Sequence, residues 1–102
     1  GEGDALNSAI SALYNHPRIN NTMPPKSAGG VENAPDNPKA AFHTAGWRMR
    51  ADYVLPSKAG FVIKDSGVFW PEKASTLYPL VGSRGASSDH RLVWVKLELR
   101  AE

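Results

Sequence analysis

Apolar positions recur at helical spacing near the start of the chain, where Leu6, Ile10 and Leu13 share one face. Asp4 is a residue type favoured at a helix N-cap, and Pro17 stops the run after Asn15-His16, so a helix is predicted from about Asp4 to Asn15. The stretch 18–46 follows neither the helical nor the strand period. It collects Asn20-Asn21, Pro24-Pro25, Ser27-Ala28-Gly29-Gly30 and the Asn- and Pro-rich run from Asn33 to Pro38, which together read as a long loop. A loop of that length within a compact domain marks a functional surface segment or a missing partner element. Beyond it, Met49 to Leu55, Gly60 to Lys64, Gly67 to Trp70 and Arg91 to Leu99 are short β-rich runs separated by turn residues. The last alternates: Val93, Val95, Leu97 and Leu99 share a face predicted as core, with Leu92, Trp94, Lys96 and Glu98 opposite.

These elements describe one α+β unit, and the length of 102 residues limits the chain to a single small domain. Hydrophobic residues make up 41% and charged residues 22%, the balance of a folding globular chain. No apolar run approaches the roughly 20 residues of a membrane span. The absence of cysteine excludes disulfides, thiolate nucleophiles and Cys-based metal sites. Twelve Lys and Arg against ten Asp and Glu leave +2, spread evenly along the chain, so charge alone does not point to nucleic acid.

Candidate chemistry concentrates at strand edges. Asp52 stands within Arg50-Ala51-Asp52-Tyr53-Val54-Leu55, where a carboxylate is costly unless paired. Asp89-His90 precedes the last strand, and a His is the natural partner for such an Asp. The carboxylate fixes the tautomer, leaving the other ring nitrogen to face a substrate. Asp89 points differently and suits a hard cation. Each of these residues also has an ordinary reading as a turn former or hydrogen-bond acceptor.

The remaining landmarks read as structure. His16 and His43 are expected as capping or surface residues, and Trp70 and Trp94 as core or sheet-face packing. Gly29-Gly30 lacks the context of a phosphate loop and is predicted as a turn. Ser57, Ser66 and Ser83 have no nucleophile-elbow setting.

Taken in order, three motifs carry a resemblance. Arg50-Ala51-Asp52-Tyr53-Val54-Leu55-Pro56-Ser57, Ser66-Gly67-Val68-Phe69-Trp70-Pro71 and Ser88-Asp89-His90-Arg91-Leu92-Val93-Trp94-Val95 resemble the carboxy-terminal part of the endonuclease/exonuclease/phosphatase superfamily, the DNase I-like fold. The stretch from Asp4 to Pro17 also resembles the helix that follows that family's Gly-Asp-x-Asn motif. The resemblance implies the C-terminal half of a four-layer α/β sandwich, mostly antiparallel strands with one N-terminal helix, so that residues 1–102 form a partial domain. It assigns Asp52 as the carboxylate that orients the catalytic histidine, His90 as that histidine in contact with the scissile phosphate, and Asp89 as an acid of the metal site. Asn33 and Asn37 match no family position.

The family's Asn and Glu metal ligands and its water-activating Asp-x-Asn pair belong to the first half of the domain and have no counterpart here; Asp4-Ala5-Leu6-Asn7 starts a helix instead of ending a strand. The expected function is therefore that of a fragment of a Mg²⁺- or Mn²⁺-dependent phosphoesterase acting on phosphodiester or phosphomonoester bonds, inactive alone. Its expected partners are a phosphate-ester substrate and the missing N-terminal half, or a second copy of this chain. Nucleic acid remains one such substrate class. The wording is similar to a bacterial branch whose members are often exported, implying an exported or periplasmic parent. The alternative is a non-catalytic binding or structural module that self-associates through its sheet.

Overall fold

The computed structural model describes residues 2–82 and 88–100, so Ser83 and Ser87 lie outside the described residues. The elements run α1 (Glu2–Tyr14), α2 (Ala28–Asn33), a 3-10 helix (Ala40–Phe42), β1 (Phe61–Phe69), α3 (Pro79–Gly82) and β2 (Leu92–Leu99). The chain is a small α+β unit whose described strands form one antiparallel pair.

Helix α1 ends where the sequence predicts, its last turn closed by Asn15 N–H and Asn15 Nδ2 donating to the Ser11 carbonyl at 3.0 and 2.9 Å. It begins at Glu2, so Asp4 lies inside the helix and does not cap it. His16 is exposed just after the helix, its Nδ1 accepting the Arg18 N–H at 3.1 Å in the turn that follows, so it lies at the surface without capping a helix carbonyl.

The two predicted runs Gly60 to Lys64 and Gly67 to Trp70 are a single strand. A register shift between Ile63 and Asp65 places a bulge at Lys64, which absorbs the polar interruption without ending the ladder. Gly67 pairs with Trp94, and a Cβ at position 67 would lie 2.6 Å from Trp94 Cζ2. The indole thus lies over the strand where only glycine leaves room. The Val93 face packs against Val68, which is 6% exposed, but the same face opens toward the strand end: Leu97 is 40% and Leu99 77% exposed. The expected core face is therefore only half covered. The predicted strand Met49 to Leu55 joins no ladder, and Met49 makes a single bridge to Ala45.

Much of the core sits where the sequence reads as loop. Among the described residues the buried apolar side chains include Ala34, Ala40, Ala45, Val68 and Trp70, joined by His43 and Thr44. Gly29-Gly30 belongs to α2 and forms no turn. Ser27 caps that helix by accepting the Gly30 N–H at 3.0 Å, and Gly29 N–H donates to the Trp70 carbonyl at 3.0 Å. Small residues allow this: an added Cβ at Gly29 would stand 2.2 Å from the Trp70 oxygen. Stretch 18–46 is therefore irregular chain packed around two short helices, held to β1 by Val68 N–H on the Lys26 carbonyl at 3.1 Å.

Candidate functional site

The site is assembled by a turn at 44–49. Thr44 N–H and Ala45 N–H both donate to the Met49 carbonyl, at 2.9 and 3.2 Å, and Arg48 N–H closes on Ala45 at 3.2 Å. Arg48 takes a left-handed conformation at φ 66°, which reverses the chain and lays 50–52 beside Thr44. The outer side of the turn docks on the approach to β2: Gly46 N–H donates to the Asp89 carbonyl at 3.0 Å and Arg91 N–H to the Thr44 carbonyl at 2.7 Å. Asn33 backs the turn from α2, its Nδ2 donating to the Gly46 carbonyl at 3.3 Å.

This docking brings together residues 38 positions apart. His90 Nδ1 lies 2.8 Å from Asp52 Oδ2 and 3.0 Å from Oδ1. The carboxylate is held from behind by Thr44, which is 1% exposed. Thr44 Oγ1 donates to Asp52 Oδ2 at 2.8 Å and accepts the Ala51 and Asp52 backbone N–H groups at 2.9 and 3.0 Å. A single hydroxyl thus uses its donor and both acceptor positions to fix the backbone and the carboxylate together. With Nδ1 engaged by the carboxylate, Nε2 is the ring nitrogen left for a ligand. The His90 and Asp52 side chains are 47% and 35% exposed, so the pair is open to solvent.

Trp47 stands edge-on to His90, with ring centroids 4.9 Å apart and planes at 82°, and is itself 50% exposed. Behind the site, Arg91 lies over Trp70 at 4.8 Å and its Nη1 donates to the Ser88 carbonyl at 2.9 Å. Ser88 Oγ accepts the His90 N–H at 2.8 Å, which sets the histidine's backbone. The aromatic core and the two-residue approach to β2 therefore position His90 from below.

Of the residues read from the sequence, Asp52 and His90 meet directly. Asp89 is adjacent and exposed, and it contributes its backbone carbonyl to the turn. Among the described residues no group of three His, Cys, Asp or Glu side chains stands together. Since Asp52 is already occupied by His90 and Thr44, Asp89 is the one carboxylate this site leaves free, and a single carboxylate does not make a divalent-cation site. Asn37 accepts the Lys39 N–H at 2.8 Å and shapes a local turn.

Two residues escaped the sequence reading. Thr44 and Trp47 lie in or beside a segment without periodicity, and an isolated Thr gives no signal there. His43 departs from expectation: it is 5% exposed, not a surface residue, and its Nδ1 is buried without a hydrogen-bond partner. Burial, and then the nearby Arg48 charge, lower its pKa below the ordinary histidine value.

No protein-family model, curated protein or solved structure matches the chain significantly.

Proposed function

We propose that the chain is the C-terminal portion of a DNase I-like phosphoesterase domain, in which Asp52 orients His90 toward the phosphoryl group of a phosphodiester or phosphomonoester. The observation that supports this reading most is the Asp52–His90 contact at 2.8 Å, made across 38 residues and backed by a buried hydroxyl. A carboxylate on Nδ1 directs Nε2 outward, where it donates to a phosphoryl oxygen and stabilises charge that develops during attack. Trp47 meets the imidazole edge-on and steadies the ring, while leaving it accessible to a substrate. The Mg²⁺ or Mn²⁺ that the resemblance implies is not held by the described residues alone. Asp89 is the residue on this chain offered to such an ion.

In this proposal the isolated chain turns over no phosphate ester, because water activation and most charge stabilisation come from the upstream half of the domain; each such term is worth several kcal/mol. The test is phosphodiesterase and phosphomonoesterase turnover with Mg²⁺ or Mn²⁺ for the chain, for its His90→Ala variant, and for each mixed with the upstream half. Activity that appears on mixing and disappears with His90→Ala is expected. A folded mixture without turnover refutes the proposal.

A second reading is favoured by one observation: Leu97 and Leu99 stay exposed on the face predicted as core, beside a two-stranded sheet. Such a face and an unpaired edge invite association with another sheet. The partner in this reading is a second copy of the chain, and the function is non-catalytic.

A further inference from the structure

A cleft of about 560 Å³ opens between α1 and the segment 48–53, within the range of small-molecule sites. Lys39, Arg48 and Arg50 line it together with Tyr14, Tyr53 and His43, and among the described residues no Asp or Glu does. Three of the chain's twelve Lys and Arg residues thus line one cleft.

The cations are not engaged in ion pairs with the described carboxylates, although Asp36 stands across a neighbouring pocket from Arg48. Arg50 lies between two rings, 4.7 Å from the Tyr14 centroid and 4.3 Å from that of Tyr53, a placement that fixes the guanidinium plane while leaving its N–H edge unspent. Lys39, Arg48 and Arg50 form no ion pair with any described carboxylate. His43, nine-tenths buried in the wall of the cleft, has an Nδ1 without a partner. It adds a further polar group with no complement in the free protein.

The cleft is distinct from the Asp52–His90 pair. Neighbouring side chains diverge: His43 lines the cleft while Thr44 turns to Asp52, and Tyr53 lines it while Asp52 turns to His90. None of Thr44, Asp52, Asp89 and His90 reaches it.

We propose that this cleft binds the phosphoryl group of a small soluble molecule. Two planar guanidinium forks and an ammonium suit a dianion with several oxygens better than a carboxylate, which one fork satisfies. The assignment does not rest on the function proposed for the Asp52–His90 pair.

The test is titration of inorganic phosphate and glycerol phosphate into the 102-residue chain, followed by backbone and ring resonances, with phosphatidic acid vesicles as the membrane comparison. Lys39 and Arg48 are both exposed, so Lys39→Gln/Arg48→Gln leaves the fold intact. The expected result is saturable binding of the soluble probes with shifts at Tyr14, Arg50 and Tyr53. The double variant weakens it by about tenfold or more, and His90→Ala leaves it unchanged. Failure of the soluble probes to bind, binding to vesicles alone, or loss with His90→Ala but not with the double variant overturns the proposal.

Discussion

Replacing Thr44 by Val tests whether the hydroxyl behind Asp52 organises the site. Val preserves shape and removes the Oγ1 that accepts the Ala51 and Asp52 N–H groups and donates to Asp52 Oδ2. Ala51 is exposed and Asp52 half-buried, so both amides rehydrate in part and each loss costs about 1 kcal/mol, the low end for an unsatisfied group. The bond to the carboxylate adds about 1.5 kcal/mol. The sum, on the order of 3 kcal/mol, is a large part of the ~5–15 kcal/mol that stabilises a typical domain. Thr44→Ser keeps the hydroxyl and loses a buried methyl, about 1 kcal/mol. Methyl burial alone predicts the opposite order, because Val retains both methyl-sized branches. Urea unfolding followed by the fluorescence of buried Trp70 reads both variants. A Thr44→Val variant as stable as Thr44→Ser, at unchanged denaturant slope, refutes the argument.

His43 gives the chain a pH-dependent stability. Its folded pKa lies below its unfolded value, so below about pH 6.5 the unfolded state binds the extra proton. Stability is then full above that pH and falls as the solution is acidified, by at most about 1.4 kcal/mol per pH unit. The difference between the parent chain and His43→Leu in urea midpoints from pH 7.5 to 5 measures this, and parallel curves contradict it. Gly29→Ala drives a methyl into the Trp70 carbonyl and indole, at 2.2 and 2.4 Å, and is expected to cost about 1–3 kcal/mol; an unchanged thermal midpoint sinks the packing account of α2. Leu99→Lys, at a residue 77% exposed, changes monomer stability by less than about 0.5 kcal/mol. Sedimentation equilibrium of Leu97→Lys/Leu99→Lys separates the two functional readings, since a self-associating sheet loses its dimer and an already monomeric chain is unaffected.

The first helix and the last strand were legible because each carries its own period: Ile10 and Leu13 need only local spacing, and the alternation from Val93 to Leu99 specifies a strand wherever it pairs. The Asp52–His90 partnership was legible as chemistry, since a carboxylate in an apolar run and a histidine at a strand edge each demand a partner. Trp70 was legible as a packing residue, but most of the core was not. Beside Val68 and Trp70, which lie in a run with strand composition, it is built from Ala34, Ala40, Ala45, His43 and Thr44, small or polar residues whose burial depends on backbone-to-backbone docking and leaves no apolar period. Met49 to Leu55 has strand composition but finds no strand to pair with, because the turn at 44–49 commits Thr44 and the Ala51 and Asp52 amides to one another. Local pattern therefore determined which segments are regular. The reversal at Arg48, the hydroxyl behind Asp52 and the cationic cleft lay beyond the sequence pattern, because the segment 44–52 carries no period and its docking against residues 89–91 and beside α1 exists only once the chain has closed.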